Sequence, residues 1–243
     1  MRAMPVNVTL GGVEKVWALE AAIVDLDGTM VDTIGDFAEA ITRMLSDLQL
    51  PLLATADIEH MVGKGTEHLL RLALAAALAS AGHPKDGLAE AVETLFPQAM
   101  QRYMHHYVAI NGQHSSVYDG VALGLQALKN AGLRLACVTN KPLAFTTPLL
   151  KAKGLDSLFE VVFGGDSFER KKPDPLPLLK ACEALGTKPV HTLMIGDSSN
   201  DAQAGRAAGC PVVLVTYGYN HGQPVHTVDA DGFVDSMAQL RVL

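Results

Sequence analysis

The chain has 243 residues, of which 49% are hydrophobic and 19% are charged. This balance is typical of a folded globular protein and excludes a disordered or fibrous one. The length exceeds that of an ordinary single domain, so one large domain or a core with an insertion is expected. The formal net charge of −7 provides no basic surface for nucleic acid. An anionic substrate would therefore need a local cluster of positive groups.

Targeting signals are not evident in the sequence. Arg2, Pro5 and Asn7 interrupt the start of the chain, so it lacks the apolar run of a secretory signal. The longest apolar stretch, residues 72–79, is far shorter than the ~20 residues that cross a bilayer. The three cysteines are far apart and match no metal or redox spacing. We therefore expect a cytoplasmic protein with neither a membrane nor a nucleic-acid partner.

Short apolar runs recur along the chain, and each ends at a polar or glycine-rich turn. Runs this short and continuous are typical of strands buried on both faces of a parallel sheet. Segments of helical length separate the later runs, so strand alternates with helix, which predicts a doubly wound, Rossmann-like α/β sheet. The predicted strands are residues 21–24, 133–138, 161–163, 193–195 and 212–215, and the predicted helices are residues 142–153, 175–185 and 199–208.

A long interval separates the first predicted strand from the second, although a crossover between parallel strands needs only one helix. Three of its segments are rich in Ala, Leu, Glu and Met and are predicted to be helices: residues 36–48, 66–81 and 88–110. We therefore predict an α/β core of residues 1–30 and 118–243 and a helical insertion of residues 31–117. Such folds bind ligands at the carboxyl ends of their strands, so the insertion is a candidate lid.

Acidic residues follow the first predicted strand. Asp25 and Asp27 come directly after it, with Gly28 and Thr29 next. Two carboxylates at the end of a buried strand are costly unless something neutralises them. The alternative is an ordinary turn, in which aspartates accept local backbone hydrogen bonds.

A second acidic segment, with Asp197 and Asp201, follows the fourth predicted strand. Taken alone, it is typical of a helix N-terminus, where aspartate is favoured. Taken together, the two segments would bring carboxylates to one edge of the sheet. Clustered carboxylate oxygens suit Mg²⁺.

Candidate phosphate-binding groups follow the other strands. Thr139 and Asn140 end the second predicted strand and offer a hydroxyl and backbone N–H groups to phosphate oxygens. Lys172 precedes Pro173 in a segment that two prolines make extended and rigid. The order of these residues after successive strands makes them informative.

These segments, taken in order, resemble the four motifs of the haloacid dehalogenase superfamily: Asp-Leu-Asp-Gly-Thr at residues 25–29, Thr139, Lys172, and Gly-Asp-Ser-Ser-Asn-Asp at residues 196–201. The resemblance covers residues 21–235, and the insertion resembles the helical cap of that superfamily. Residues 139–142, 172–179 and 216–220 are also similar to phosphoglycolate phosphatases.

The resemblance implies a magnesium-dependent phosphoryl-transfer mechanism. Asp25 would be the nucleophile and form an aspartyl-phosphate, and Asp27 would act as general acid and then general base. Dehalogenases of the superfamily lack the second aspartate, so its presence indicates phosphoryl transfer. The remaining implied roles are Mg²⁺ ligation by Asp25, the Asp27 carbonyl and Asp197, phosphoryl binding by Thr139, Asn140 and Lys172, and support of Lys172 or the metal by Asp201.

Within the insertion, Gly63 and Lys64 belong to a Gly-Lys-Gly segment that resembles the loop presented to substrate by phosphoglycolate phosphatase caps. Lys64 would pair with the carboxylate of 2-phosphoglycolate; the alternative is a lysine that is merely solvated. The sequence leaves open a phosphatase for a sugar phosphate or pyrophosphate, a β-phosphoglucomutase-like isomerase and a non-catalytic receiver-like module. It also does not decide between monomer and homodimer.

Overall fold

The computed structural model describes residues 6–10 and 13–242. The chain forms two compact units: one contains the described residues up to Asp32 and from Ser116 onward, and the other is Thr33–Ser115. The boundaries predicted from the sequence, residues 31 and 117, lie in a short antiparallel ribbon in which Val31 pairs with Val117.

The first unit is built on a sheet of six strands, all parallel. This confirms the predicted fold class. The strands are β3 (Ala21–Val24), β6 (Arg134–Val138), β7 (Val161–Phe163), β8 (Thr192–Gly196), β9 (Val212–Val215) and β10 (Gly232–Val234). Their order across the sheet is β10-β9-β8-β3-β6-β7. The remaining strands are β1 (Val6–Leu10), β2 (Val13–Leu19) and β11 (Leu240–Val242), which form an antiparallel sheet, and the ribbon strands β4 (Val31–Asp32) and β5 (Ser116–Val117).

Both faces of the six-stranded sheet are buried, which explains why its strands are continuously apolar. Alternate residues of β3 belong to two separate clusters: Ala22 and Val24 to one, Ala21 and Ile23 to the other. Helices cover both faces, as a doubly wound sheet requires. These helices are α5 (Val121–Asn130), α6 (Leu143–Ala152), α7 (Leu176–Leu185) and α8 (Ser199–Ala208).

The second unit is helical among its described residues. Its core includes Tyr107, whose ring stacks on Phe37 at 5.7 Å and on Tyr103 at 5.2 Å between centroids. Its helices are α1 (Ile34–Asp47), α2 (Thr55–Glu59), α3 (Thr66–Ser80) and α4 (Leu88–Ile110). None of the helices in the described part of the chain has the length and apolar character needed to cross a membrane.

Candidate active site

Asp25 lies at the carboxyl end of the central strand. β3 pairs with β6 on one side and β8 on the other, and the Asp25 N–H continues the ladder by donating to the Ile195 carbonyl at 3.0 Å. The chain then turns at Gly28, whose φ of 82° is a conformation that favours glycine. The two aspartates of the first motif are therefore placed by the middle of a rigid sheet.

Asp197, just after β8, is held tightly from several sides. Its Oδ1 accepts from the Thr29 hydroxyl at 3.2 Å, and its Oδ2 accepts from the Tyr219 N–H at 2.7 Å. A Cβ atom added to Gly28 would overlap Asp197 Oδ2, and one added to Gly218 would overlap the Asp197 side chain. The two glycines therefore allow the backbone to approach this carboxylate closely.

Lys172 joins the first and last motifs. Its Nζ lies 2.8 Å from Asp25 Oδ1 and 2.6 Å from Asp201 Oδ1, and all three residues are buried. The Lys172 carbonyl accepts from Asn140 Nδ2 at 2.9 Å. The second motif thus helps to position the lysine of the third.

Asp201 supports this arrangement rather than facing outward. It is fully buried, and its Oδ2 accepts from Ser198 N–H at 3.2 Å, from the Ser198 hydroxyl at 2.9 Å and from Asp197 N–H at 3.3 Å. These contacts cap the N-terminus of α8, where a carboxylate is stabilised by the helix dipole. Asp201 therefore caps the helix with one carboxylate oxygen and pairs with Lys172 through the other.

Burial dominates the electrostatics of the cluster. It raises the pKa of Asp25 to about 7 against the opposing effect of Lys172, and it also raises the pKa of Asp197, to which Asp201 adds. Burial alone would lower the pKa of Lys172, but Asp201 and Asp25 raise it instead. One ammonium group thus faces three carboxylates and cannot neutralise them all.

This excess of negative charge fits a bound cation. One oxygen from each of Asp25, Asp197 and Asp201 lies within 4.8 Å of the others, and buried carboxylate oxygens suit a hard divalent ion. Asp201 Oδ2 already accepts from three donors, which leaves Asp25 and Asp197 as the better side-chain ligands. The site can therefore hold a divalent metal ion.

Thr139 and Asn140 follow β6, the strand next to β3. The Thr139 N–H donates to the Phe163 carbonyl at 3.0 Å, and the Thr139 Oγ1 accepts from the Lys141 N–H at 3.2 Å. Because its oxygen is engaged as an acceptor, the Thr139 hydroxyl retains its proton for a phosphate oxygen. Asn140 donates its side-chain amide to the Lys172 carbonyl, and its backbone N–H is the group predicted to bind phosphate.

Three contributors were not singled out from the sequence. Gly218 and Tyr219 contact Asp197, and the Tyr219 hydroxyl donates to Asp32 Oδ1 at 2.7 Å. Lys141 is buried, and its Nζ lies 3.2 Å from Asp27 Oδ1. The sequence could have indicated Lys141, because it directly follows Thr139 and Asn140, which were both assigned to the site.

Gly63 and Lys64 lie in the helical unit, in the segment between α2 and α3. Gly63 has φ 113° and Gly65 has φ 91°, so both glycines adopt a conformation that other residues rarely take. Lys64 lies in a backbone bend between these two glycines. Its contact with substrate stays a prediction.

Comparisons with known proteins agree with this geometry. The sequence model of the haloacid dehalogenase-like hydrolase family matches residues 22–215. A phosphoglycolate phosphatase of Thiobacillus denitrificans is 43% identical over 93% of this chain and 95% of its own length, and a plasmid-encoded phosphoglycolate phosphatase of Cupriavidus necator is 42% identical over 92% of each chain.

Among solved structures, that of a predicted phosphoglycolate phosphatase from Haemophilus somnus 129PT superposes with a TM-score of 0.83 at 34% identity. It covers 90% of this chain and 95% of its own. The residues matched by the family model include Asp25, Thr139, Lys172 and Asp197. The chain therefore belongs to the haloacid dehalogenase-like hydrolases.

Proposed function

We propose that this protein hydrolyses 2-phosphoglycolate to glycolate and phosphate in a Mg²⁺-dependent reaction. The observation that carries the proposal is the buried Asp25–Lys172–Asp201 cluster beside Asp197 in a chain whose relatives are phosphoglycolate phosphatases over nearly their whole length. The substrate is a small phosphorylated molecule, and we infer a cytoplasmic location.

In the first step, an Asp25 oxygen attacks phosphorus and the bond from phosphorus to the ester oxygen breaks, so that an aspartyl-phosphate forms. Asp27 gives its proton to the departing alkoxide. In the second step, Asp27 takes a proton from water, the water oxygen bonds to phosphorus, and Asp25 is released. Ester and water thus become alcohol and phosphate.

One positive group and two neutral hydrogen-bond donors are proposed to bind the phosphoryl group. Lys172 is held 2.8 Å from the Asp25 carboxylate, and the Thr139 hydroxyl and the Asn140 N–H end the neighbouring strand. Preorganised donors of this kind stabilise charge that develops on the transferring oxygens. Because Asp201 also pairs with Lys172, the ammonium group needs little rearrangement during the reaction.

The carboxylates of Asp25 and Asp197, with the carbonyl of Asp27, are the groups proposed to hold Mg²⁺. When bound, the ion would offset the repulsion between an anionic nucleophile and an anionic phosphate. An all-oxygen ligand set favours Mg²⁺, Ca²⁺ or Mn²⁺ over softer metals. Among these, Mg²⁺ is the ion that is usually held by one or two carboxylates together with substrate phosphate.

The test is a steady-state assay of phosphate release from a panel of small esters, with Mg²⁺ or excess chelator. We expect many turnovers per enzyme, with the highest kcat/KM for 2-phosphoglycolate and none in chelator. A higher kcat/KM for a sugar phosphate or pyrophosphate would move the assignment to that substrate. A single phosphoryl group retained per chain, without turnover, would indicate a receiver-like module, and interconversion of sugar phosphates would indicate an isomerase.

A further inference from the structure

Two lysines are buried among the described residues, Lys141 and Lys172. Lys172 is accounted for by its motif and by its two carboxylate partners. Lys141 has no role in the chemistry described so far, yet only 2% of its side chain is exposed. Burying an ammonium group is costly unless the geometry of its partners is favourable, so the partner of Lys141 is informative.

That partner is Asp27. Lys141 Nζ lies 3.2 Å from Asp27 Oδ1, and 13% of the Asp27 side chain is exposed. The two residues are 114 positions apart in the sequence and meet because β3 and β6 are neighbours in the sheet. The contact therefore engages one oxygen of the group proposed as general acid and base.

The backbone of Lys141 is anchored on both sides. Its carbonyl accepts from the Gly165 N–H at 2.9 Å and from the Thr146 hydroxyl at 3.3 Å, and its N–H donates to Thr139 Oγ1 at 3.2 Å. A Cβ atom added to Gly165 would overlap the Asn140 carbonyl, so the neighbouring segment packs directly against this turn. These contacts fix the backbone of Lys141 and therefore the direction in which its side chain projects.

We propose that Lys141 is a positioning residue for proton transfer: it holds Asp27 Oδ1 so that Oδ2 faces the leaving-group oxygen. The inference rests on the proposed phosphatase mechanism. A general acid must lie within hydrogen-bond reach of the atom it protonates, and a carboxylate with one oxygen held is restricted in rotation. Loss of Lys141 should therefore impair protonation of the leaving group more than binding of the phosphate.

The test compares kcat/KM of Lys141→Met and wild type for three substrates: 2-phosphoglycolate, 2-hydroxyethyl phosphate and p-nitrophenyl phosphate. The first two release alkoxides that need a proton, whereas nitrophenolate leaves without one. We expect a loss of about 100-fold for both alkyl esters and of at most about threefold for the aryl ester. The ratio between substrates, measured on one preparation, does not depend on the fraction of protein that is folded.

Two further variants sharpen the result. Lys141→Arg should recover most of the activity on alkyl esters, because it restores a cation beside Asp27. In an Asp27→Asn background, Lys141→Met should have little additional effect, since coupled residues are not additive. Lys151→Met, at an exposed lysine of α6, is the matched control and should leave all three substrates unchanged.

Equal losses on alkyl and aryl esters, or additive losses with Asp27→Asn, would overturn the proposal and leave Lys141 a structural residue. A loss confined to 2-phosphoglycolate would also overturn it, because Lys141 would then bind the substrate carboxylate. Wild-type turnover of the same esters tests the proposed function separately, so a failure of that function can be distinguished from a failure of this inference.

Discussion

The two units of the chain use charged side chains in different ways. In the α/β unit, Lys172, Asp25 and Asp201 are buried together and pair within 2.8 Å. In the helical unit, Arg71 pairs with Glu67 and Glu93 at the surface. Exposed pairs contribute little to stability because water and salt screen them, whereas removing one partner of a buried pair costs about 3–5 kcal/mol.

This contrast indicates that the chemistry is carried by the α/β unit. Buried charges are retained in the α/β unit although their desolvation is costly, which is the pattern expected where chemistry needs fixed charges. The helical unit has one conspicuous exception in Asp36, a fully buried carboxylate. Its oxygens accept from the N–H groups of Gly112 and His114, both at 2.7 Å, so its role is structural.

The largest effect is expected for Asp25→Asn. It removes the nucleophile, so kcat should fall by about four orders of magnitude or more. The fold should persist, because Lys172 still pairs with Asp201. Phosphate release and circular dichroism provide the measurements. Activity above about 1% of wild type, with contaminating phosphatase excluded, would contradict a covalent mechanism.

Lys172→Met tests the buried ion pairs directly. It leaves Asp25 and Asp201 without their shared cation, so the urea midpoint should fall by an amount equivalent to about 3–5 kcal/mol, and activity should fall about 10²–10³-fold. Lys171→Met is a matched control at the adjacent exposed position and should change stability by less than about 0.5 kcal/mol. Similar losses of stability and activity in the two variants would contradict the proposed difference between buried and exposed charges.

Metal binding should depend on pH, because burial raises the pKa of Asp25 to about 7. A carboxyl whose pKa is raised on folding binds its proton more tightly in the folded state. Without metal, its contribution therefore favours folding at low pH and is lost as pH rises from about 4 towards 7. Mg²⁺ competes with these protons, so it should raise the melting temperature much more at pH about 8 than at pH about 5.

Asp197→Asn is the control for that measurement and should weaken the stabilisation by Mg²⁺ at the higher pH. Ca²⁺ should inhibit turnover, because its longer bonds and higher coordination number disturb the geometry of attack. Equal stabilisation by Mg²⁺ at both pH values, or full activity in excess chelator, would argue against a metal on these carboxylates.

Asp36→Ala should destabilise the helical unit without touching the chemistry. It leaves two backbone N–H groups without their acceptor, which should cost about 2 kcal/mol. Amide exchange at Gly112 and His114 should accelerate, while kcat/KM per folded molecule stays unchanged. Asp36→Asn retains one acceptor oxygen but presents an NH₂ group to a donor, so it should also destabilise. A loss of kcat/KM in a fully folded Asp36→Ala protein would assign this carboxylate a part in catalysis.

The smallest effect is expected for Lys64→Ala. If Lys64 pairs with the substrate carboxylate, kcat/KM should fall about tenfold for 2-phosphoglycolate and about twofold or less for a neutral aryl phosphate. Lys85→Ala, at an exposed lysine of the same unit, is the matched control. Equal losses on both substrates would leave Lys64 a solvated lysine and confine recognition to other residues.

Several elements were predictable because their signals are local. Residues 21–24, 161–163 and 212–215 match β3, β7 and β9, since continuous apolar runs are typical of strands buried on both faces. α8 begins and ends as expected, with Gly209 at φ 83° after it. In contrast, α5, α2, β10 and the antiparallel sheet of β1, β2 and β11 were not predicted, because their apolar patterns are short or interrupted.

The sequence by itself determined which chemical groups are available at the carboxyl ends of the strands: Asp25 and Asp27, Thr139, and Asp197 with Asp201. Their spacing from apolar runs is enough to place them on one edge, because all six strands are parallel. Tertiary structure alone decided the pairings of Lys172 with Asp25, of Tyr219 with Asp197, and of Lys141 with Asp27 across 114 residues. It also pairs Asp201 with Lys172, which is one of the two roles that the family resemblance implied for Asp201. Such contacts depend on strand order and on close packing at glycines, and neither is encoded in any short stretch of chain.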